Sequence, residues 1–108
     1  MDNSALKEII GETVLARKPD SDELYQIPFD DFFNLQVHGS EYLCLYFGAH
    51  WAPPCRIFTT QLDKFYRKVN KDSKKIEVIF VTEDREKAHF ERNFAKMPWF
   101  AVPFEDEH

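Results

Sequence analysis

The sequence predicts an α/β fold with parallel central strands and helices on both faces. Two runs, Tyr42–Phe47 and Ile76–Val81, are almost continuously apolar, as strands covered on both faces are. Between them Phe58, Leu62, Phe65 and Val69 recur at i, i+4, i+7 and i+11, the stripe of one helix face. A strand, a helix and a strand in that order make a right-handed crossover, and a crossover sets its two strands parallel.

The remaining elements follow in chain order. Ser4 is placed to cap a short helix over 5–10 that ends at Gly11, with Leu6, Ile9 and Ile10 as its apolar face. Thr13 to Arg17 is β-prone, and Leu24 to Ile27 returns as the second arm of a hairpin after a polar turn cluster. Asp30 or Asp31 can cap a helical turn from Phe32 to Gln36, before the Gly39-Ser40 break. From Pro54 the helical stripe begins, with Gln61, Lys64, Arg67 and Lys68 on its wet side. Asp84 can cap a last helix carrying Phe90, Phe94 and Met97, and Pro98 stops it. An extended run from Trp99 to Phe104 follows. The whole reads as one domain over 1–108, with a helix and hairpin over 4–27 and a β-α-β-α-β core over 42–104.

Bulk properties narrow the function. A chain of 108 residues holds one domain at most, and 44% hydrophobic content with eleven Phe supports a genuine core. A net charge of -5 argues against nucleic acid or an anionic membrane as partner. No apolar run approaches the length of a membrane span, and the N-terminus lacks the pattern of a signal peptide. Two cysteines in unrelated contexts do not make a disulfide framework, so cytosolic or nuclear reducing conditions fit best. The histidines show no ligand spacing, and no metal or other cofactor is expected.

The chemistry concentrates where the first apolar strand hands over to the helix. Pro53 and Pro54 suit the first helical turn, where a missing N–H costs nothing. Cys55 then falls in that turn, near unpaired N–H groups and the positive end of the helix dipole, which favour a thiolate. Cys44 lies among Leu43, Leu45 and Phe47 and reads as core.

The run Trp51-Ala52-Pro53-Pro54-Cys55 resembles the Trp-Cys-Pro-Pro-Cys centre of tryparedoxins and nucleoredoxins, in the thioredoxin superfamily. The stretches 47–51, 58–62, 76–81 and 97–104 resemble the same family in the same order, so the likeness covers roughly residues 5 to 108. It implies a thioredoxin-like fold and protein-disulfide reduction. In the family the first cysteine of the pair attacks and the second resolves the mixed disulfide. Here Ala52 stands in the attacking position, and a methyl group cannot attack a disulfide. Cys55 matches the resolving position. It is either a shielded remnant or a low-pKa thiol able to pair with glutathione. Ala52 is compatible with an altered protein and with a natural domain that binds without turnover.

Trp51, Pro53 and Pro54 shape an apolar rim that meets a protein partner or packs on the helix. His50 either tunes charge near Cys55 or faces solvent. The family also continues with a helix, a cis-proline strand, another strand and a last helix. The chain ends before these, as a truncated or a naturally short form, so an open sheet edge and self-association are expected.

Overall fold

The computed structural model describes residues 4–18, 21, 23–37, 39–49 and 53–104. Helix α1 spans Ser4–Ile10 and ends at Gly11, whose φ of 103° is a left-handed conformation that glycine adopts without penalty. Strands β1 (Thr13–Arg17) and β2 (Leu24–Pro28) form the expected antiparallel hairpin, with Leu15 opposite Gln26. Helix α2 (Phe29–Phe32) runs on into a π-helical segment, Phe33–Val37. Strand β3 (Tyr42–Gly48), helix α3 (Pro53–Val69), strand β4 (Ile76–Thr82), helix α4 (Lys87–Phe94) and strand β5 (Phe100–Ala101) complete the chain order.

The five strands make one sheet in the order β2-β1-β5-β4-β3. β3 and β4 are parallel, with Cys44 opposite Val78 and Gly48 opposite Thr82. β5 lies parallel to β4 and antiparallel to β1. Alternation along the strands sends side chains to two cores. Tyr46, Val78 and Phe80 point to the side of α3 and α4, where Phe90, Phe94, Met97 and Trp99 are buried. Leu43, Leu45 and Ile79 point to the side of α1 and α2, where Ile10, Phe29 and Phe32 are buried. A cation ties the hairpin to α4: the Arg17 guanidinium donates to the carbonyls of Met97 and Phe94 at 2.6 and 2.7 Å. Those carbonyls cluster at the helix end, where positive charge is favoured.

Several expectations change. β3 is not a central strand: it closes one end of the sheet and pairs only with β4 among the described strands. Cys44 is therefore exposed rather than core. The helical stripe is also only partly covered. Phe58 and Phe65 remain 48% and 52% exposed, and the face that meets the sheet runs through Thr59, Leu62, Tyr66 and Val69. The two go together, since among the described residues no strand lies beyond β3. Ile9 likewise points outward.

Two caps are also reassigned. α2 starts at Phe29 after an extended Pro28, so neither Asp30 nor Asp31 caps it. α4 starts after an extended Glu86, and Asp84 is used in the turn before it. α4 stops at Phe94, short of Pro98, and the extended run after it is regular only at Phe100–Ala101.

Candidate functional site

The end of β3 and the start of α3 are locked together from beneath. The hydroxyls of Tyr46 and Thr59 lie 2.7 Å apart, both buried. A hydrogen bond out of water is stronger than one at the surface, and losing either partner strands the other. The Tyr46 ring meets Phe58 edge-on at 5.3 Å and also contacts Phe80 and Trp99. The Tyr46–Thr59 hydrogen bond and an aromatic cluster thus help to fix the strand-to-helix junction.

The same end of the sheet is tied across to β4. The Glu83 N–H donates to the Gly48 carbonyl at 2.8 Å. Just beyond, the Thr82 hydroxyl donates to Asp84 Oδ2 at 3.0 Å and accepts from the Asp84 N–H at 2.9 Å. Asp84 is buried at the end of β4, beside the end of β3. This turn was missed in the sequence, where Asp84 resembled a helix cap. The Thr-x-Asp spacing is the signal that could have revealed it.

Of the predicted site residues, Pro53 is the first residue of α3, Pro54 the second and Cys55 the third. Proline at the helix start and cysteine in the first turn are as expected. Pro54 is exposed. His50, Trp51 and Ala52 lie outside the described residues, so their expected roles rest on sequence. Position 55 thus lies in the first turn of α3, at the positive end of the helix dipole.

A second polar cluster sits at the far end of α3. The Tyr66 hydroxyl donates to Glu77 Oε1 at 3.0 Å, and Lys74 Nζ lies 2.8 Å from Glu77 Oε2 and 2.9 Å from Tyr66 Oη. Burial pushes the Tyr66 phenol above its ordinary range, with the Glu77 carboxylate adding to this and Lys74 opposing it. Burial alone would lower Lys74, but its bonds to Glu77 and Tyr66 outweigh that and raise it. The cluster anchors the return from α3 into β4 and is remote from Pro53. Among the described residues no set of three or more His, Cys, Asp or Glu could hold a metal. No helix among them is long and apolar enough to cross a membrane.

The site is thus a parallel β3-α3-β4 unit with two prolines and a cysteine at the helix start. The sequence model described as thioredoxin-like matches residues 39–108. The chain belongs to the thioredoxin-like family. Within it, the chain is similar to nucleoredoxins and tryparedoxins. Nucleoredoxin from Danio rerio is 48% identical over 66 residues, which is 61% of this chain and 16% of that protein. Native tryparedoxin I from Crithidia fasciculata superposes with a TM-score of 0.70 at 38% identity, over 94% of this chain and 62% of that one. Tryparedoxin II in complex with glutathionylspermidine matches with a TM-score of 0.65 at 31% identity, over 96% of this chain and 65% of that one. This thioredoxin-like chain thus spans about a sixth of the length of the curated nucleoredoxin, and under two thirds of these tryparedoxins.

Proposed function

We propose that this domain descends from a protein-disulfide reductase and that its exchange cycle is broken at Ala52. The observation that carries this reading is Cys55 in the first turn of α3, three residues after an alanine. In the intact cycle a thiolate at position 52 would attack a substrate disulfide. One sulfur of that disulfide would join it, and the other would leave as a thiolate. Cys55 would then attack the mixed disulfide and release the second substrate thiolate. The 52–55 pair would be left oxidised and the substrate reduced by two electrons, and an external dithiol would recharge the pair. With alanine at 52 the first bond cannot form.

The substrate class is a protein disulfide or a small thiol compound. The tryparedoxin II complex with glutathionylspermidine supports the small-thiol side. A reducing compartment, cytosolic or nuclear, suits this chemistry. The test is Ala52→Cys in an insulin-reduction assay driven by dithiothreitol. The variant should turn over well above the unmodified chain, which stays at the uncatalysed rate. A folded variant with no gain in rate would refute the lineage reading.

A second reading is a non-catalytic interaction module. The exposure of Tyr42, Phe58 and Phe65 on the α3 side of the sheet favours it. In that role the rim of Trp51, Pro53 and Pro54 and the open β3 edge would bind a protein.

A further inference from the structure

We propose that the outward face of α3, where Lys64, Lys68 and Lys71 stand in a row, docks a short acidic segment of another protein. The proposal goes beyond both readings of the site. It uses neither the β3 edge nor Phe58 and Phe65, and it does not depend on sulfur chemistry at position 52.

Helix geometry sets the row opposite the sheet. Leu62, Tyr66 and Val69 pack against the core. Each lysine lies two residues after one of them, about 200° around the helix. Lys64 thus opposes Leu62, Lys68 opposes Tyr66 and Lys71 opposes Val69, and all three lysines are exposed. Lys71 lies beyond the last residue of α3, but its N–H donates to the Lys68 carbonyl at 3.4 Å, so the spiral continues to it. The turn that follows is held by Asn70. Its Oδ1 accepts from the N–H groups of Lys75 and Ile76 at 2.8 and 3.0 Å, and its Nδ2 donates to the Ile76 carbonyl at 3.1 Å. A row on fixed backbone loses less freedom on binding than one on a loose loop.

Positive charge is gathered there rather than spread. Residues 64–75 hold six of the fourteen Lys and Arg and one acid, Asp72, in a chain whose net charge is -5. Asp63 is engaged by Arg67 at 2.6 Å, and Glu77 by Lys74 at 2.8 Å. Among the described residues no acid pairs with Lys64, Lys68 or Lys71. Spacings of four and three residues make these lysines neighbours, and like charges at those spacings destabilise a helix. The helix dipole compensates Lys68 in the last turn, but not Lys64, which lies before it. The row therefore works against the fold, and an acidic partner relieves it.

The size of the row selects the occupant. Lys64 to Lys71 covers about 10 Å of helix axis, and Asp72 follows it directly. A nucleic-acid duplex or a membrane spreads its charge well past that length, onto a chain that is otherwise acidic and repels it. A few residues of polypeptide stay within it. In an extended segment alternate side chains lie about 6.6 Å apart, close to the ~6 Å rise between Lys64 and Lys68. Glu or Asp at every second position of such a segment therefore meets successive lysines.

The test titrates the isotope-labelled 108-residue chain with an octaglutamate peptide and follows backbone amide shifts. Saturable shifts should centre on Lys64, Lys68 and Lys71 with a Kd below about 1 mM at low salt, and should weaken as salt is added. Replacing the row by Lys64→Gln, Lys68→Gln and Lys71→Gln should weaken binding at least about tenfold. That variant should be no less stable in urea, because it removes repulsion. Lys87→Gln, Arg92→Gln and Lys96→Gln together make the same charge change on the exposed side of α4 and should leave binding within about twofold. Absence of saturable shifts overturns the proposal, and so does an equal loss in the α4 variant, which would reduce the effect to net charge. A clear loss of stability in the first variant makes the lysines structural and overturns it too. A short DNA duplex or a phosphatidylserine vesicle that shifts the same amides at lower concentration overturns the assignment to a protein partner. None of these outcomes turns on insulin reduction by Ala52→Cys.

Discussion

The two edges of the sheet follow opposite rules. β2 is short, ends on Pro28 and leaves a turn spanned by a Lys18–Glu23 ion pair at 3.3 Å. On its solvent side the Thr13 hydroxyl donates to Gln26 at 3.0 Å. β3 is seven residues long and uncharged, with Tyr42 and Phe47 standing in solvent. Brevity, proline and charge are how sheets avoid pairing with strangers. The two edges of the described sheet thus differ in length, charge and proline content. The difference shows that exposure at β3 is not a general looseness of this small domain, because the same sheet closes its far side with ordinary devices.

Three further experiments bear on this comparison, beside the two already described. The largest effect is expected in β4, the strand that carries β3. Phe80→Ala, in the middle of β4, should cost about 3–5 kcal/mol in urea denaturation, because it empties a fully buried ring site. A loss below ~1 kcal/mol would mean that the sheet is not organised around β4. Smaller effects belong to the β3 side. Tyr46→Phe keeps the ring but deprives the buried Thr59 hydroxyl of its partner, and should cost about 1–2 kcal/mol. If stability is unchanged, the junction is held by ring packing alone.

The smallest effect is one of pH. Tyr66 and Lys74 both hold their protons more tightly in the fold than at their ordinary values of 10.0 and 10.5. A raised folded pKa supports the native state fully below the unfolded value and loses that support as pH rises through the folded one. Thermal stability should therefore decline above about pH 10, and Tyr66→Phe should flatten the decline. An equal slope in the variant would assign the alkaline loss to other groups.

Most elements were legible because their signals are local. Thr13–Arg17 alternates and opens on two β-branched residues, Gly11 ends α1 with a left-handed turn, and two prolines open α3. What the sequence hid depends on neighbours. A continuous apolar run reads alike in a central strand and in one beside an absent neighbour, so β3 and Cys44 were placed in the interior. Helical periodicity gives the width of a stripe but not how much of it is covered, so the exposure of Phe58 and Phe65 is not legible in it. At the site, the Pro53-Pro54-Cys55 helix start was readable from composition. The Tyr46–Thr59 bond was not, because the two hydroxyls are thirteen residues apart and neither residue type is distinctive in its element. Asp84 was misassigned since the same residue type suits a helix cap and a tight turn.

The joint between Tyr46 and Thr59 has a consequence for what substitutions the domain tolerates. Oxygen, not sulfur, fastens the platform from below. Exchanging the residue at position 52 removes no member of that fastening. A domain fastened this way can vary at the residues that open α3 and keep the junction beneath them.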